Sequence, residues 1–261
     1  MAEGPYDLLV IGAGVMGAAI ARGVAVAHPE LRLAVLDRTY AKAVATSEGV
    51  ANLTAVREIA PFDLVVVAVK PKDLRGLVGQ LPVGSKMISI AAGIPLARLR
   101  EWTGAAVVRA MPNTAIQVNE GVIALAEDAG EAELLARAEK LLGCLGRTLR
   151  VPESLFDLVT SVAGSGPAFA FLLIEALQEA AIARGLDAER ARVLVVSMLR
   201  GASLLADARG DDPRTLRLEV TSPGGMTAAG LAALEEQRFR WQFHHALEAA
   251  IARARVLEAE S

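Results

Sequence analysis

A single cysteine, Cys144, stands among 261 residues, so the chain can close no internal disulfide and build no cysteine-based metal cluster. That scarcity fits a reducing compartment, and the cytoplasm is the expected location. Histidine is nearly as rare. His28, His244 and His245 show neither metal-ligand spacing nor a partnering carboxylate and nucleophile, which leaves them solvent or interface roles. A bias of charge is missing too: 27 basic and 30 acidic residues give −3, without blocks of one sign, so neither nucleic acid nor a membrane surface is indicated as a partner. Residues Met1 to Pro5 lack the positive region and apolar run of a secretory signal. The apolar run Phe169 to Ile182 is interrupted by Glu175, Gln178 and Glu179, short of the roughly 20 residues of a membrane span. It reads as a buried core helix, or as one clamped between two subunits.

What the chain does have is apolar substance, 53% of its residues, enough for a sizeable core. Up to about residue 150, short β-rich runs alternate with helical stretches. The runs are Asp7 to Ile11, Leu33 to Leu36, Leu64 to Val69, Met87 to Ile90 and Ala106 to Arg109. Each is almost wholly apolar, which marks strands covered on both faces and predicts an α/β, doubly wound, Rossmann-like and mostly parallel sheet. Gly121 to Ala126 and Arg147 to Val151 extend that sheet, with a helix of about 131–143 between them. Beyond Pro152 the pattern is helical throughout, over 153–161, 166–184, 188–208, 213–220, 227–236 and 239–259. The expected division is a dinucleotide-binding domain of 1–152 and an all-helical domain of 153–261.

Gly12-Ala13-Gly14-Val15-Met16-Gly17 follows the first strand directly and opens a helix, the setting a dinucleotide fingerprint requires. Gly12 makes the tight turn, Gly14 lets the pyrophosphate approach the backbone, and Gly17 lets helix and strand pack. At the end of the second strand, Asp37 suits the ribose hydroxyls of NAD, whereas Arg38 and Thr39 suit the 2′-phosphate of NADP. Asp37 could instead cap the helix starting near Tyr40. NADPH is the favoured cofactor, with NADH able to serve. Ala68-Val69-Lys70-Pro71, Ala92-Gly93 and Asn113 stand at the ends of later strands, where open α/β sheets bind their ligands.

In the helical half, Val220 to Thr227 breaks the pattern with Ser222-Pro223-Gly224-Gly225. Proline and glycine cost helix stability, about 3 and 1 kcal/mol relative to alanine, so the interruption needs a local reason. A loop feeding a new helix offers free backbone N–H groups, and adjacent glycines admit a carboxylate or phosphate to them. Ser222, Gly224, Gly225, Met226 and Thr227 therefore form a candidate anion seat.

Taken together, the segments Gly12 to Gly17, Ala68 to Pro71, Ser89 to Gly93, Arg109 to Thr114, Gly164 to Ala168 and Thr221 to Thr227 resemble the pyrroline-5-carboxylate reductase family in order and spacing. The resemblance implies NAD(P)H-dependent reduction of 1-pyrroline-5-carboxylate to L-proline. It also implies that the helical half is a dimerisation domain, giving a homodimer or a ring of dimers, and that the substrate carboxylate rests on Ser222 to Thr227. Ala163, Phe169, Ala115 and Met226 depart from residues common in the family, and an Asn frequent near its cofactor ribose has no counterpart around Thr54-Ala55.

Hydride transfer to a cyclic imine asks little of side chains, because the cofactor carries the reacting hydride and the protein supplies position. Thr227 is the candidate to orient or relay the proton of the ring nitrogen, and a plain helix cap is the alternative role for it. No metal is called for. A hydroxyacid dehydrogenase is the first rival reading, against which stands the absence of lysine after Lys140. The second rival, a non-catalytic nucleotide-binding protein, has no use for a second anion seat.

Overall fold

Strands that bury both faces need apolar residues at successive positions, and Leu8-Leu9-Val10-Ile11 provides them, each no more than 3% exposed. In the computed structural model, which describes residues 5–259, this segment belongs to β1 (Tyr6–Ile11). There follow α1 (Val15–Ala27), β2 (Leu33–Leu36), α2 (Tyr40–Ser47), β3 (Leu53–Val56), β4 (Phe62–Val67), α3 (Pro71–Val78), β5 (Lys86–Ser89), α4 (Leu96–Thr103) and β6 (Ala106–Pro112). β7 (Gly121–Glu127), α5 (Ala132–Leu142) and β8 (Gly146–Pro152) complete the sheet.

The strand order is β3-β2-β1-β4-β5-β6-β7-β8, parallel throughout except where β6 meets β7. Alternate residues of each strand enter two cores. Leu8, Val10, Val66, Ile88 and Val108 pack with Ile20, Val24, Leu135 and Leu142 on one face. Leu9, Ile11, Val65, Val67, Met87 and Val107 pack with Leu74, Leu99 and Phe156 on the other. This is the doubly wound, mostly parallel sheet that continuous apolarity predicts.

Two differences matter. The strand β3 was not foreseen: it is a four-residue edge strand whose Thr54 is exposed, so it lacks the two-sided apolarity used to recognise the others. β6 runs three residues past Arg109, because Ala110, Met111 and Pro112 exchange their pairing from β5 to the antiparallel β7.

The remaining elements are α6 (Phe156–Val159), α7 (Gly166–Ile182), α8 (Ala188–Arg209), α9 (Pro213–Glu219), α10 (Met226–Glu236) and α11 (Phe239–Ala259). Between α6 and α7 the helix widens by one π-turn, in which the Ser165 N–H donates to the Thr160 carbonyl at 3.2 Å. The separate helices expected over 153–161 and 166–184 are thus one helical stretch, since Pro167 falls in the first turn of α7 where a missing N–H is tolerated.

The described residues form two compact units, one up to Pro167 together with Ala250 onward, the other Ala168–Ala249. The boundary expected from sequence lies at 152. Packing carries the first unit further because Phe156, 1% exposed, inserts into the core under the sheet. The expectation that Phe169 to Ile182 is a core helix fails within one chain: α7 has no buried residue, and Phe171 and Leu172 are each 63% exposed.

Candidate active site

The carboxyl ends of β1, β2 and β4 converge on the glycine loop. Gly12 has φ +105°, and a Cβ there would lie 2.6 Å from the Ala68 carbonyl oxygen. A Cβ on Gly17 would lie 1.8 Å from the Gly12 carbonyl oxygen, whereas one on Gly14 would meet nothing within 4 Å. Two glycines are therefore demanded by packing, and the third leaves the backbone open. Gly14 is the N-cap of α1, with no capping side chain and no acidic residue in the first turn, so Val15 and Met16 present their N–H groups outward. This cradle fits a dinucleotide pyrophosphate.

Asp37 does not cap α2; that position is Thr39. Its Oδ2 accepts from the Ala13 N–H at 2.7 Å and its Oδ1 from the Thr39 N–H at 2.8 Å. The carboxylate thereby ties the glycine loop to the β2–α2 turn, and Arg38 beside it is exposed. The Ala68 N–H donates to the Ile11 carbonyl at 2.8 Å, bringing the second loop against the first. Val69 is half-buried, Lys70 is the exposed N-cap of α3, and Pro71 is that helix's first residue. Ala92 is exposed and Gly93 has φ +73°, placing an open turn after β5.

Asn113 has a structural duty the sequence did not reveal. Its Oδ1 accepts from the N–H groups of Ala115 and Val122, each at 3.2 Å, closing the turn between β6 and β7. Arg109, 3% exposed, places its guanidinium 4.4 Å from the Phe156 ring centroid and donates to Glu153 Oε1 at 3.1 Å. The same oxygen accepts the Leu96 N–H at 2.6 Å. One carboxylate thus fastens the start of α4, just after the turn carrying Ala92 and Gly93, to the middle of β6.

In the second unit, Ser222-Pro223-Gly224-Gly225 is a type II turn: Pro223 precedes Gly224 at φ +70°, and the Gly225 N–H donates to the Ser222 carbonyl at 3.1 Å. A Cβ on Gly225 would lie 2.4 Å from Ser222 Oγ. The turn corrects one expectation, since the Gly225 N–H is engaged within it and is not free for an anion. Gly225 is the N-cap of α10, without a side-chain cap, so Met226, Thr227 and Ala228 supply the unpaired N–H groups. The cap named as the alternative role for Thr227 falls too, since Thr227 is the second residue of α10 and not its cap. Its side chain is exposed and has no hydrogen-bond partner among the described residues. Just upstream, Arg209 donates to Glu219 at 2.9 Å and holds that carboxyl below its usual range, so both ends of this brace between α8 and α9 stay charged at neutral pH.

Residues 153–257 match the family model for pyrroline-5-carboxylate reductase dimerisation, and residues 7–93 match that of NADP oxidoreductase, coenzyme F420-dependent. The pyrroline-5-carboxylate reductase of Arabidopsis thaliana is 38% identical over 258 residues, covering 95% of this chain and 94% of its own. The chain belongs to the pyrroline-5-carboxylate reductase family. The reductase of Synechocystis is 35% identical over 96% of this chain and 98% of its own. Among solved structures, the reductase of Coxiella burnetii superposes with a TM-score of 0.86 at 31% identity, covering 97% of this chain and 98% of its own. That of Plasmodium falciparum, with NADP bound, gives 0.82 at 26% identity over 97% and 98%.

Proposed function

We propose that this reductase converts 1-pyrroline-5-carboxylate to L-proline with NADPH, the last step of proline biosynthesis. The observation that carries the reading is the pairing of an open glycine cradle at Gly14 with an uncapped helix start behind the Ser222–Gly225 turn. One seats a dinucleotide and the other a small carboxylate. Membership of the family supplies the substrate.

Gly14, Val15 and Met16 hold the pyrophosphate, Arg38 lies toward the adenosine end, and Ala68 to Pro71, Ala92, Gly93 and the Asn113 turn line the crevice. The bound cofactor supplies a hydride. The N–H groups of Met226 and Thr227, with the Ser222 hydroxyl, hold the substrate carboxylate, which fixes the C=N carbon. Thr227 Oγ1 hydrogen-bonds the ring nitrogen and orients its proton, the proton arriving with the imine. Every hydrogen bond to the carboxylate comes from backbone or hydroxyl, which is why no lysine is needed here.

The helical region works as a homodimer, or a ring of dimers. The dimerisation model over 153–257 supports this, as do the exposed apolar side chains Phe171, Leu172, Leu194 and Met198. The stretch Glu153–Ile182, which contains an 18-residue segment with a mean hydropathy of 1.5, is long and apolar enough to cross a membrane. A second copy covers it instead, and the protein is cytoplasmic.

The test follows loss of reduced-nicotinamide absorbance on adding 1-pyrroline-5-carboxylate, against a panel of 2-keto and 3-hydroxy acids. Turnover of the imine alone is expected. Turnover confined to the panel overturns the reading.

A further inference from the structure

We infer that Arg57, a residue outside every motif above, sets cofactor preference by binding the adenosine 2′-phosphate jointly with Arg38. The inference rests on the assignment of NADP(H) as cofactor. It starts from the edge strand. In the parallel register of β2 and β3, Leu36 is paired with Val56, so Asp37-Arg38 and Arg57 leave neighbouring strands side by side at the ligand-binding end of the sheet.

Three observations give Arg57 that task. First, both Asp37 oxygens are held by backbone N–H groups, of Ala13 and Thr39, which commits to the chain the carboxylate that would otherwise accept from a ribose 2′-hydroxyl. Second, the Arg57 guanidinium lies 3.7 Å from the centroid of the Tyr40 ring. Tyr40 opens α2 directly after the Asp37–Thr39 turn, so the stack holds this cation against that turn. Third, the cations are uncommitted. Among the described residues neither Arg38 nor Arg57 forms an ion pair, and the exposed Glu58 next to Arg57 pairs with neither. A stacked guanidinium keeps its planar fork of donors in one orientation, the form suited to a phosphate monoester. A stack at an exposed site adds little to stability, so fold maintenance does not account for it.

The measurement is calorimetric titration of the wild-type protein, Arg57→Ala and Arg57→Lys with NADP⁺ and with NAD⁺, beside each protein's nucleotide-free melting temperature. Arg57→Ala is expected to weaken NADP⁺ about tenfold or more, the worth of a charged hydrogen bond, with NAD⁺ changed less than about twofold. Melting is expected to stay unchanged. Arg57→Lys, which keeps the charge without the fork or the stack, is expected to fall between the two. Equal weakening of both nucleotides, or an unchanged NADP⁺ to NAD⁺ ratio, overturns the role of Arg57 while leaving the cofactor assignment standing. A wild-type protein that binds NAD⁺ alone, or neither nucleotide, overturns the assignment and this inference with it.

Discussion

Thr227 is the residue on which chemistry and architecture separate most cleanly. As the second residue of α10, exposed and without a hydrogen-bond partner among the described residues, it contributes no cap. Removing its hydroxyl therefore costs less than about 0.5 kcal/mol of stability. Its proposed place at the imine nitrogen makes Thr227→Ala lower kcat about a hundredfold, the usual size of a positioned proton-handling group, with Thr227→Ser retaining most of the rate. Unfolding curves and steady-state kinetics on the same preparations check this, and an unchanged kcat for Thr227→Ala contradicts the role. At this scale the sequence was legible wherever sterics dictate identity. Gly12 and Gly17 were readable because a Cβ at each would strike a neighbouring atom, whereas the same constraint at Gly225 lay hidden behind its reading as an anion donor. Asp37, Asn113 and Arg57 were not. Their tasks depend on which backbone or ring the fold brings beside them, and the one signal available was a polar residue directly after a strand.

Elements show the same division. Strands buried on both faces announce themselves by unbroken apolarity, whereas β3, one-sided and at the edge, does not. The widened turn ahead of α7 was hidden because Gly164 to Pro167 reads as a break, yet a π-turn lets the helix run on. The Arg109–Glu153 pair joins β6, α4 and the segment after β8 through one carboxylate, which accepts from Arg109 and from the first residue of α4. Its two ends lie 44 residues apart, a separation no motif spans. Glu153→Gln keeps the Leu96 hydrogen bond but strips the buried Arg109 of its counter-charge. The expected loss is about 2 kcal/mol, less than for a fully buried pair because Glu153 is one-third exposed. The double variant Arg109→Met/Glu153→Gln recovers part of that loss, since no uncompensated charge remains. Denaturation midpoints for Glu153→Gln, Arg109→Met and the double variant measure the coupling, and losses that simply add contradict it.

For the whole molecule, the apolar surface of the helical region is what the proposed dimer accounts for. Apolar side chains along α7 and α8 that are half or more exposed predict a sedimentation mass of twice the chain or a multiple of it, and a monomer at micromolar concentration contradicts the proposed dimer. Sequence marked α7 as apolar all round but could not tell burial inside a chain from burial between chains, because both leave the same composition. Function was more legible than packing. The glycine fingerprint and the turn ahead of α10 are set by local backbone geometry, so spacing alone displayed them as a strand-to-helix loop and a helix break. The central claim is hydride transfer to a cyclic imine, and its most direct measurement is the product formed from 1-pyrroline-5-carboxylate and NADPH deuterated at the transferable C4 position. The account predicts L-proline carrying one deuterium at C5, at one equivalent per NADPH consumed. Cofactor oxidation without labelled proline contradicts it.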